Sequence, residues 1–203
     1  MPKPKEITAP KQLIVEGNDT AVFFGVILGD LGISNIQIQD FGGVGELTNF
    51  LEAFCSQPSF KTTVTSVGIV RDAEKDARAA FASVCSSLKS IDLPIPGKPL
   101  IAAGTTPQVN VLILPDGETE GMLESVILQA IADEPAMVCV EEYLRCIELR
   151  MESLPGNITK ARLQAFLASR QYPGLQIGNA ARKGYLRLDS PAYESLRQFI
   201  HSL

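Results

Sequence analysis

The sequence predicts an α/β fold with a mostly parallel central sheet of about four strands, helices on both faces and a helical C-terminal extension. Over the first 132 residues, four short apolar runs alternate with four helical patterns, which is typical of a parallel sheet covered by helices. After Glu134 and Pro135 only helical patterns follow. We therefore divide the chain into a flexible arm (1–10), an α/β domain (11–133) and the extension (134–203).

Each element is predicted from a simple pattern in the sequence. The arm "MPKPKEITAP" holds three prolines and alternating charges. The strands are apolar or alternating runs rich in β-branched residues, and we place them at 11–17, 35–41, 64–73 and 108–115. The helices of the α/β domain have apolar residues at helical spacing, at 19–32, 46–57, 74–90 and 121–132. Asn18 or Asp19 is the expected cap of the first helix.

The extension contains three predicted helices, at 136–151, 158–170 and 190–203, and a segment that is largely loop at 171–184. Asn157 or Thr159 stands near the start of the second of these helices. Ser190 and Pro191 suit the cap and first position of the third.

Composition excludes several kinds of chemistry. The chain has a single histidine, His201, close to its end, so catalysis of the Ser-His-Asp or Cys-His kind and ordinary Cys/His zinc sites are not expected. The four cysteines form no CxxC pair, which favours reduced thiols and a cytoplasmic protein. No secretory signal and no apolar run of the roughly 18 residues that a membrane span needs is visible. The groups that could still carry out catalysis are carboxylates, lysines and a metal ion with oxygen ligands.

Charge is distributed unevenly along the chain. Residues 1–156 hold 11 basic and 21 acidic side chains, whereas residues 157–203 hold 7 basic and 2 acidic ones. The acidic part suits a metal site and the basic part suits a polyanion such as nucleic acid. An ordinary solvated basic face is the alternative for the second part.

Every predicted strand ends in an acid or is directly followed by one: Glu16, Asp40, Asp72 with Glu74, and Asp116. Because right-handed crossovers bring the carboxyl ends of parallel strands to one edge, these acids are expected there together. Close carboxylates raise one another's pKa unless a cation such as Mg²⁺ joins them. Any single acid could instead be a helix cap or a turn residue. Two residues apart in an extended segment, Asp72 and Glu74 are expected to point to one side.

The stretches "LIVEG" and, about fifty residues later, "VGIVRDAE" resemble the Toprim domain, a metal-binding α/β module of topoisomerases, bacterial primases, recombination mediators and OLD-type nucleases. Its pattern is an apolar strand ending in Glu-Gly and a later apolar strand ending in Asp-x-Asp. More narrowly, "IQIQDFGG", "RDAE", "GMLE" and "KGY…LDSPAY" resemble an uncharacterised bacterial family of free-standing Toprim-like proteins. That narrower resemblance extends over most of the chain.

The resemblance implies roles for individual residues. Glu16 matches the Toprim glutamate, a metal ligand or general acid/base, and Asp72 matches the first aspartate of the metal-binding pair. Glu74 stands where a second aspartate is usual, which is a departure from the pattern. Glu124 and Lys183 match a further glutamate and a downstream lysine of OLD-type nucleases. The alternatives are a first-turn helix acid for Glu124 and a basic loop residue for Lys183.

These observations favour a phosphodiester-cleaving, nuclease-like enzyme that depends on Mg²⁺ or Mn²⁺ and acts on nucleic acid. The basic residues expected to bind phosphates are Arg162, Arg182, Lys183 and Arg187, with Lys160 and Arg170 in the same basic tail. The alternative is a non-catalytic Toprim-fold module that binds a nucleotide or a protein, including a second copy of itself. Receiver-like or dehalogenase-like phosphoryl transfer fits less well, because those sites place their acidic pair after the first strand.

Overall fold

The computed structural model describes residues 3–203 and has the α/β architecture that the sequence predicts. Its strands are β1 (Lys11–Val15), β2 (Ile36–Asp40), β3 (Ser66–Asp72) and β4 (Gln108–Leu114). They form one parallel sheet in the order β2-β1-β3-β4. The carboxyl ends of all four strands therefore meet at one edge of the sheet, here called the carboxyl edge.

Within the described residues the structure has nine α-helices. They are α1 (Asn18–Asp30), α2 (Leu47–Cys55), α3 (Phe60–Thr63), α4 (Ala77–Ser90), α5 (Leu123–Ala130), α6 (Pro135–Arg150), α7 (Ile158–Ala168), α8 (Ile177–Arg182) and α9 (Glu194–His201). Short 3-10 turns precede α2 and α9. None of these helices is long and apolar enough to cross a membrane.

The sheet separates two apolar cores. On one face, Ile14, Ile69 and Val111 pack with α2 and α4. On the other face, Leu13, Val70 and Leu112 belong to a core that includes buried residues of α1, α5 and all four C-terminal helices. The C-terminal helices therefore complete the cover of the sheet, because alternate residues of each strand need apolar partners on both sides.

Close packing between β3 and α9 depends on a glycine. A Cβ placed on Gly68 would lie 2.8 Å and 2.9 Å from the two Leu203 methyl carbons and 2.9 Å from Phe199. The contact is extended by a hydrogen bond in which the Asn110 Nδ2 donates to Ser202 Oγ at 2.7 Å. The last residues of the chain are thus part of the sheet's core.

Two local predictions need correction. Helix α1 is preceded by Gly17, without a capping side chain, and Asp19 instead accepts hydrogen bonds from the backbone N–H groups of Ile177 and Gly178 at 2.9 Å and 2.8 Å. The segment 171–184, predicted to be largely loop, contains α8, whose start is held by that carboxylate. Helix α8 has only six residues, so its stability depends on packing against α1 rather than on a sequence period.

The arm at the N-terminus follows β2. Met1 and Pro2 fall outside the described residues, but from Lys5 to Thr8 the backbone exchanges hydrogen bonds with the Gln37 and Gln39 side chains of β2. Ile7 is buried in the α2/α4 core. Where the sequence predicts a flexible arm, the structure thus shows residues 5–8 held along an edge strand.

Candidate metal site at the carboxyl edge

Two of the acids at the strand ends have local partners. The Asp40 Oδ1 accepts from the N–H groups of Gly17 and Gly42 at 2.9 Å and 2.8 Å. The Asp116 Oδ1 accepts from the N–H groups of Glu118 and Thr119. Although partial burial opposes it, these hydrogen bonds hold the pKa of Asp116 below its ordinary value. Asp40 and Asp116 are therefore turn-forming residues, the role that Asp-Gly and Asp-x-Gly sequences favour.

The other acids form what we call the acidic cluster: Glu16, Asp72, Glu74 and Glu124. Glu16 directly follows β1, and Asp72 is the last residue of the neighbouring strand β3. Glu74 lies in the loop after β3, and Glu124 is in the first turn of α5. The parallel topology thus brings together four acids that are up to 108 residues apart (124 − 16).

Asp72 is the centre of the acidic cluster. Burial raises its pKa most, the negative charges of Glu124, Glu16 and Glu74 add to the rise in that order, and a hydrogen bond from the Leu123 N–H at 3.0 Å opposes it, which gives a pKa of about 7. That hydrogen bond makes Asp72 a cap for α5, which is a structural role for a carboxylate. A cap alone does not explain the negative charges around it, because like charges oppose the ionised form that caps best.

Glu16 has a buried oxygen without a partner. Its Oε2 is inaccessible to solvent, and no donor among the described residues forms a hydrogen bond with it. Burial raises the pKa of Glu16, the positive charge of Arg71 lowers it, Glu74 raises it and Lys160 lowers it. A buried carboxylate oxygen is normally hydrogen-bonded or bound to a cation, so this atom is available to a ligand.

Glu74 is positioned differently from the expectation. Strand β3 ends at Asp72, and Glu74 has a positive φ of 55° and an exposed side chain. Its backbone pairs in both directions with Gly121, with N···O distances of 2.8 Å and 2.9 Å. The extended segment that would place Asp72 and Glu74 on one side is therefore absent, because this pairing turns the chain at Glu74.

A lysine other than the predicted one lies beside the cluster. The Lys160 Nζ is 3.8 Å from Glu124 Oε1, with side chains that are 55% and 13% exposed, respectively. Lys183 instead lies over the ring of Tyr172, 4.9 Å from its centroid. The positive charge of Lys160 lowers the pKa of Glu16, whereas Lys183 does not contribute to the pKa shift of Glu16 or of Asp72.

The basic residues of the extension divide into two groups. Arg162 is bound by Glu141 at 2.7 Å, and Arg170 lies 3.4 Å from Glu134. Arg182, Lys183 and Arg187 are exposed and form no ion pair with any residue in the described part of the chain. Three of the four predicted phosphate-binding residues therefore remain free to bind an anion, and Arg162 is already paired.

The cluster offers oxygen donors, which are the ligands that Mg²⁺ and Mn²⁺ prefer. Over residues 3–203, however, no three Asp, Glu, His or Cys side chains lie close enough together to hold a single ion. The chemistry of the donors and the unpartnered oxygen of Glu16 suit a divalent cation, but three of these side chains would share one ion only after moving closer together.

Two residues of the site carried no assigned role at this edge in the sequence prediction. Arg71 directly precedes Asp72, and its positive charge lowers the pKa of Glu16. The indication in the sequence was its position in "RDAE", next to the predicted metal ligand. Lys160 was expected only in the basic tail. Its position at the cluster follows from the packing of α7 on α5, which the sequence pattern does not reveal.

Fold and site together define a parallel α/β protein with a partly buried cluster of acids at the carboxyl edge of its sheet. The chain belongs to the family described as "Protein of unknown function (DUF3226)", whose model matches residues 10–203. No curated protein matches the chain.

Two solved structures are similar to the chain, both of the C-terminal region of the OLD protein of Xanthomonas campestris pv. campestris. The one phased with mercury has 16% identity and a TM-score of 0.42, and the match covers 96% of each chain. The one phased with platinum has 13% identity and a TM-score of 0.43, with 95% of this chain and 91% of the other covered.

Proposed function

We propose that the acidic cluster binds Mg²⁺ or Mn²⁺ and that the protein cleaves phosphodiester bonds in nucleic acid, as the Toprim-like stretches imply. The observation that carries the proposal is the environment of Asp72. Burial and three neighbouring carboxylates raise its pKa to about 7, an arrangement that is unfavourable without a cation. The buried, unpartnered oxygen of Glu16 supports the same conclusion.

Glu16, Asp72 and Glu124 would hold the cation, with Glu74 as a further candidate. A bound divalent cation would activate water and neutralise the leaving oxygen. Asp72 would release its proton on cation binding, because a nearby positive charge lowers the pKa of a carboxyl group. Lys160, beside Glu124, provides a positive charge for an anionic substrate and takes the part expected of Lys183. Arg182, Lys183 and Arg187 supply exposed charge for more distant phosphates.

A cation titration tests the first half of the proposal. We expect millimolar Mg²⁺ or Mn²⁺ to raise the melting temperature of the protein, because a ligand that binds only the folded state stabilises it. Asp72→Asn and Glu16→Gln should each remove this rise. The matched controls are Asp133→Asn and Glu148→Gln, which change exposed acids outside the cluster. An unchanged melting temperature of the wild-type protein would exclude the metal site.

A cleavage assay tests the second half. The wild-type protein should cut single- or double-stranded DNA or RNA in the presence of Mn²⁺, and Asp72→Asn should lower the rate by at least about a hundredfold, the usual effect of losing a group that positions charge in a transition state. Cleavage that persists in Asp72→Asn would assign the activity to a contaminant or to another site.

The second candidate function is a protein-binding module. Helices α6 and α7 line a groove of about 490 Å³ whose walls contain no charged residue, with Val140, Tyr143 and Ile147 on one side and Ala161 and Ala165 on the other. Apolar grooves between helices are common places for a partner helix. Cation binding without any cleavage would favour this function over the nuclease.

A further inference from the structure

The C-terminal extension carries positive charge that the protein leaves unpaired. From Ser153 to Leu188 the chain has six basic residues and no acidic one, although its net charge is −5 at pH 7. Three of the six are exposed and form no ion pair within residues 3–203, and we call them the basic patch: Arg182, Lys183 and Arg187. Unpaired charge of one sign on an otherwise acidic protein attracts a polyanion to this surface.

Tyr172 places an aromatic ring against the basic patch. It is 49% exposed, and the Lys183 Nζ lies 4.9 Å from the ring centroid. Tyr172 belongs to neither apolar core, and no other aromatic ring in the described part of the chain packs against it. An exposed ring beside unpaired cations is typical of proteins that bind single-stranded nucleic acid, because the ring stacks on a base while the cations bind phosphates.

A groove of about 550 Å³ adjoins the basic patch. It follows helix α1 from Asn18 to Gly29 and is bordered on its other side by the edge strand β2. Its walls contain two charged side chains, Lys5 and Arg182, and both are positive. Because Asn18 is two residues after Glu16, the groove begins beside the acidic cluster. We call it the α1 groove.

Helix α8 fixes the position of the basic patch relative to the acidic cluster. The backbone N–H groups at the start of α8 donate to the Asp19 carboxylate, and Asp19 follows Glu16 by three residues. Arg182 is the last residue of α8, and Lys183 directly follows it. A continuous surface therefore leads from the acidic cluster along the start of α1 to the basic patch and the ring of Tyr172.

We propose that the protein binds single-stranded nucleic acid across this surface. A base stacks on Tyr172, the basic patch binds the neighbouring phosphates, and the strand enters the α1 groove. A duplex keeps its bases stacked on one another and offers this surface only its backbone, so the ring selects for a single strand. This inference rests on the proposed function and deepens it, because it specifies the class of nucleic acid that reaches the acidic cluster.

The test measures binding of a fluorescently labelled oligothymidylate of about 12 nucleotides by fluorescence anisotropy, with a chelator present so that no metal ion or cleavage contributes. We expect Tyr172→Leu to weaken binding by about 5- to 100-fold, the effect of losing one stacked base, and Tyr172→Phe to bind as the wild-type protein does. A duplex of the same length should bind at least about tenfold more weakly than the single strand. Leu149→Ala, which shortens an exposed apolar side chain of α6, is the matched control.

The basic residues are tested by the salt dependence of the same binding. Arg182→Gln and Lys5→Gln should each weaken binding and lower the slope of log K against log salt by about one, because one phosphate contact fewer releases one counterion fewer. Arg145→Gln, which changes an exposed arginine of α6, should alter neither the affinity nor the slope. An unchanged slope in both Arg182→Gln and Lys5→Gln would overturn the path through the α1 groove.

The results separate this inference from the proposed function. If Mg²⁺ fails to stabilise the wild-type protein, the metal site is excluded, but a loss of affinity confined to Tyr172→Leu still supports the single-strand site. Metal-dependent cleavage together with wild-type affinity in Tyr172→Leu would overturn the inference alone. A duplex that binds as tightly as the single strand, or an equal loss in Leu149→Ala, would also overturn it. Tighter binding of an oligouridylate than of the oligothymidylate supports RNA as the source and the reverse order supports DNA, and both require the loss in Tyr172→Leu.

Discussion

Two groups of polar residues border strand β1 and differ in how their hydrogen bonds are satisfied. Between β1 and β2, Gln12, Gln37 and Gln39 form what we call the glutamine network, in which each side-chain amide both donates and accepts hydrogen bonds. At the carboxyl end, the acidic cluster contains an unpartnered oxygen on Glu16 beside an arginine with two unpartnered nitrogens.

Under the proposed function, the difference is one between residues that stabilise the fold and residues that bind a ligand. Gln12 and Gln39 are fully buried, and their amides are satisfied by each other and by the N-terminal arm. A satisfied network contributes to a unique structure, whereas unsatisfied buried charge lowers stability until something binds. Substitutions should therefore have opposite effects on stability in the two regions.

The largest effect is expected for Asp72→Asn. Because the pKa of Asp72 in the folded protein is about 7, above its ordinary value of 3.8, the unfolded chain releases this proton first as pH rises. The free energy of unfolding of the metal-free wild-type protein should therefore fall between about pH 4 and pH 7 and then level off. Asparagine has no proton to release, so at about pH 8 the variant should be more stable by up to about 4 kcal/mol.

Urea unfolding at about pH 5 and pH 8, with a chelator present, measures this difference. Asp133→Asn, in an exposed position, should show the same pH dependence as the wild-type protein. A variant that is less stable than the wild-type protein at both pH values would mean that Asp72 matters mainly as the cap of α5.

In the glutamine network, Gln39→Ala should have the opposite sign. It removes the acceptor of the Lys5 N–H and the donor to Gln12 Oε1, leaving buried groups without partners. We expect a loss of about 2–3 kcal/mol at every pH, as measured by the same unfolding experiment. Gln129→Ala, an exposed position on α5, should change stability by less than about 0.5 kcal/mol. Equal stabilities of the two variants would contradict a structural role for the network.

Much of the fold could be predicted from the sequence because its strands are short apolar runs separated by glycine and proline. "KQLIV" and "QVNVLIL" correspond to β1 and β4 almost residue for residue. Helix α8 and the attached arm could not be predicted, since both are held by partners that are distant in the chain. The Asp19 carboxylate accepts hydrogen bonds from backbone N–H groups that are 158 and 159 residues further along the chain.

In the candidate site too, contacts between distant parts of the chain could not be predicted from the sequence. Parallel topology was sufficient to expect Glu16 and Asp72 at one edge, and the structure places them near each other. The position of Lys160 beside the cluster depends on how α7 packs on α5. The orientation of Glu74 depended on its pairing with Gly121. Neither contact has a local sequence signal, because each depends on residues that are distant in the chain.

A smaller effect is expected at Glu74, and it tests whether this residue belongs with the acids or with the backbone turn. Its φ of 55° is unfavourable for a residue with a Cβ, so Glu74→Gly should raise the free energy of unfolding by about 0.5–1 kcal/mol. Glu74→Gln keeps the strain and removes the charge. If Glu74 is a cation ligand, both variants should also lose part of the stabilisation by Mn²⁺. A full response to Mn²⁺ in both would assign Glu74 to the turn alone.

The smallest effect on stability is expected for Lys160→Ala, because the ion pair with Glu124 lies 3.8 Å apart and the lysine is 55% exposed. Such pairs contribute about 0–1 kcal/mol, and we expect a change below about 0.5 kcal/mol in urea unfolding. Cation and substrate should respond in opposite directions: without a competing positive charge the cluster should bind Mn²⁺ more tightly, while nucleic acid should bind less tightly. Arg145→Ala, an exposed position on α6, should change neither. If Lys160→Ala likewise changes neither, the lysine is only a surface partner of Glu124, and the positive charge at the cluster comes from Arg71 alone.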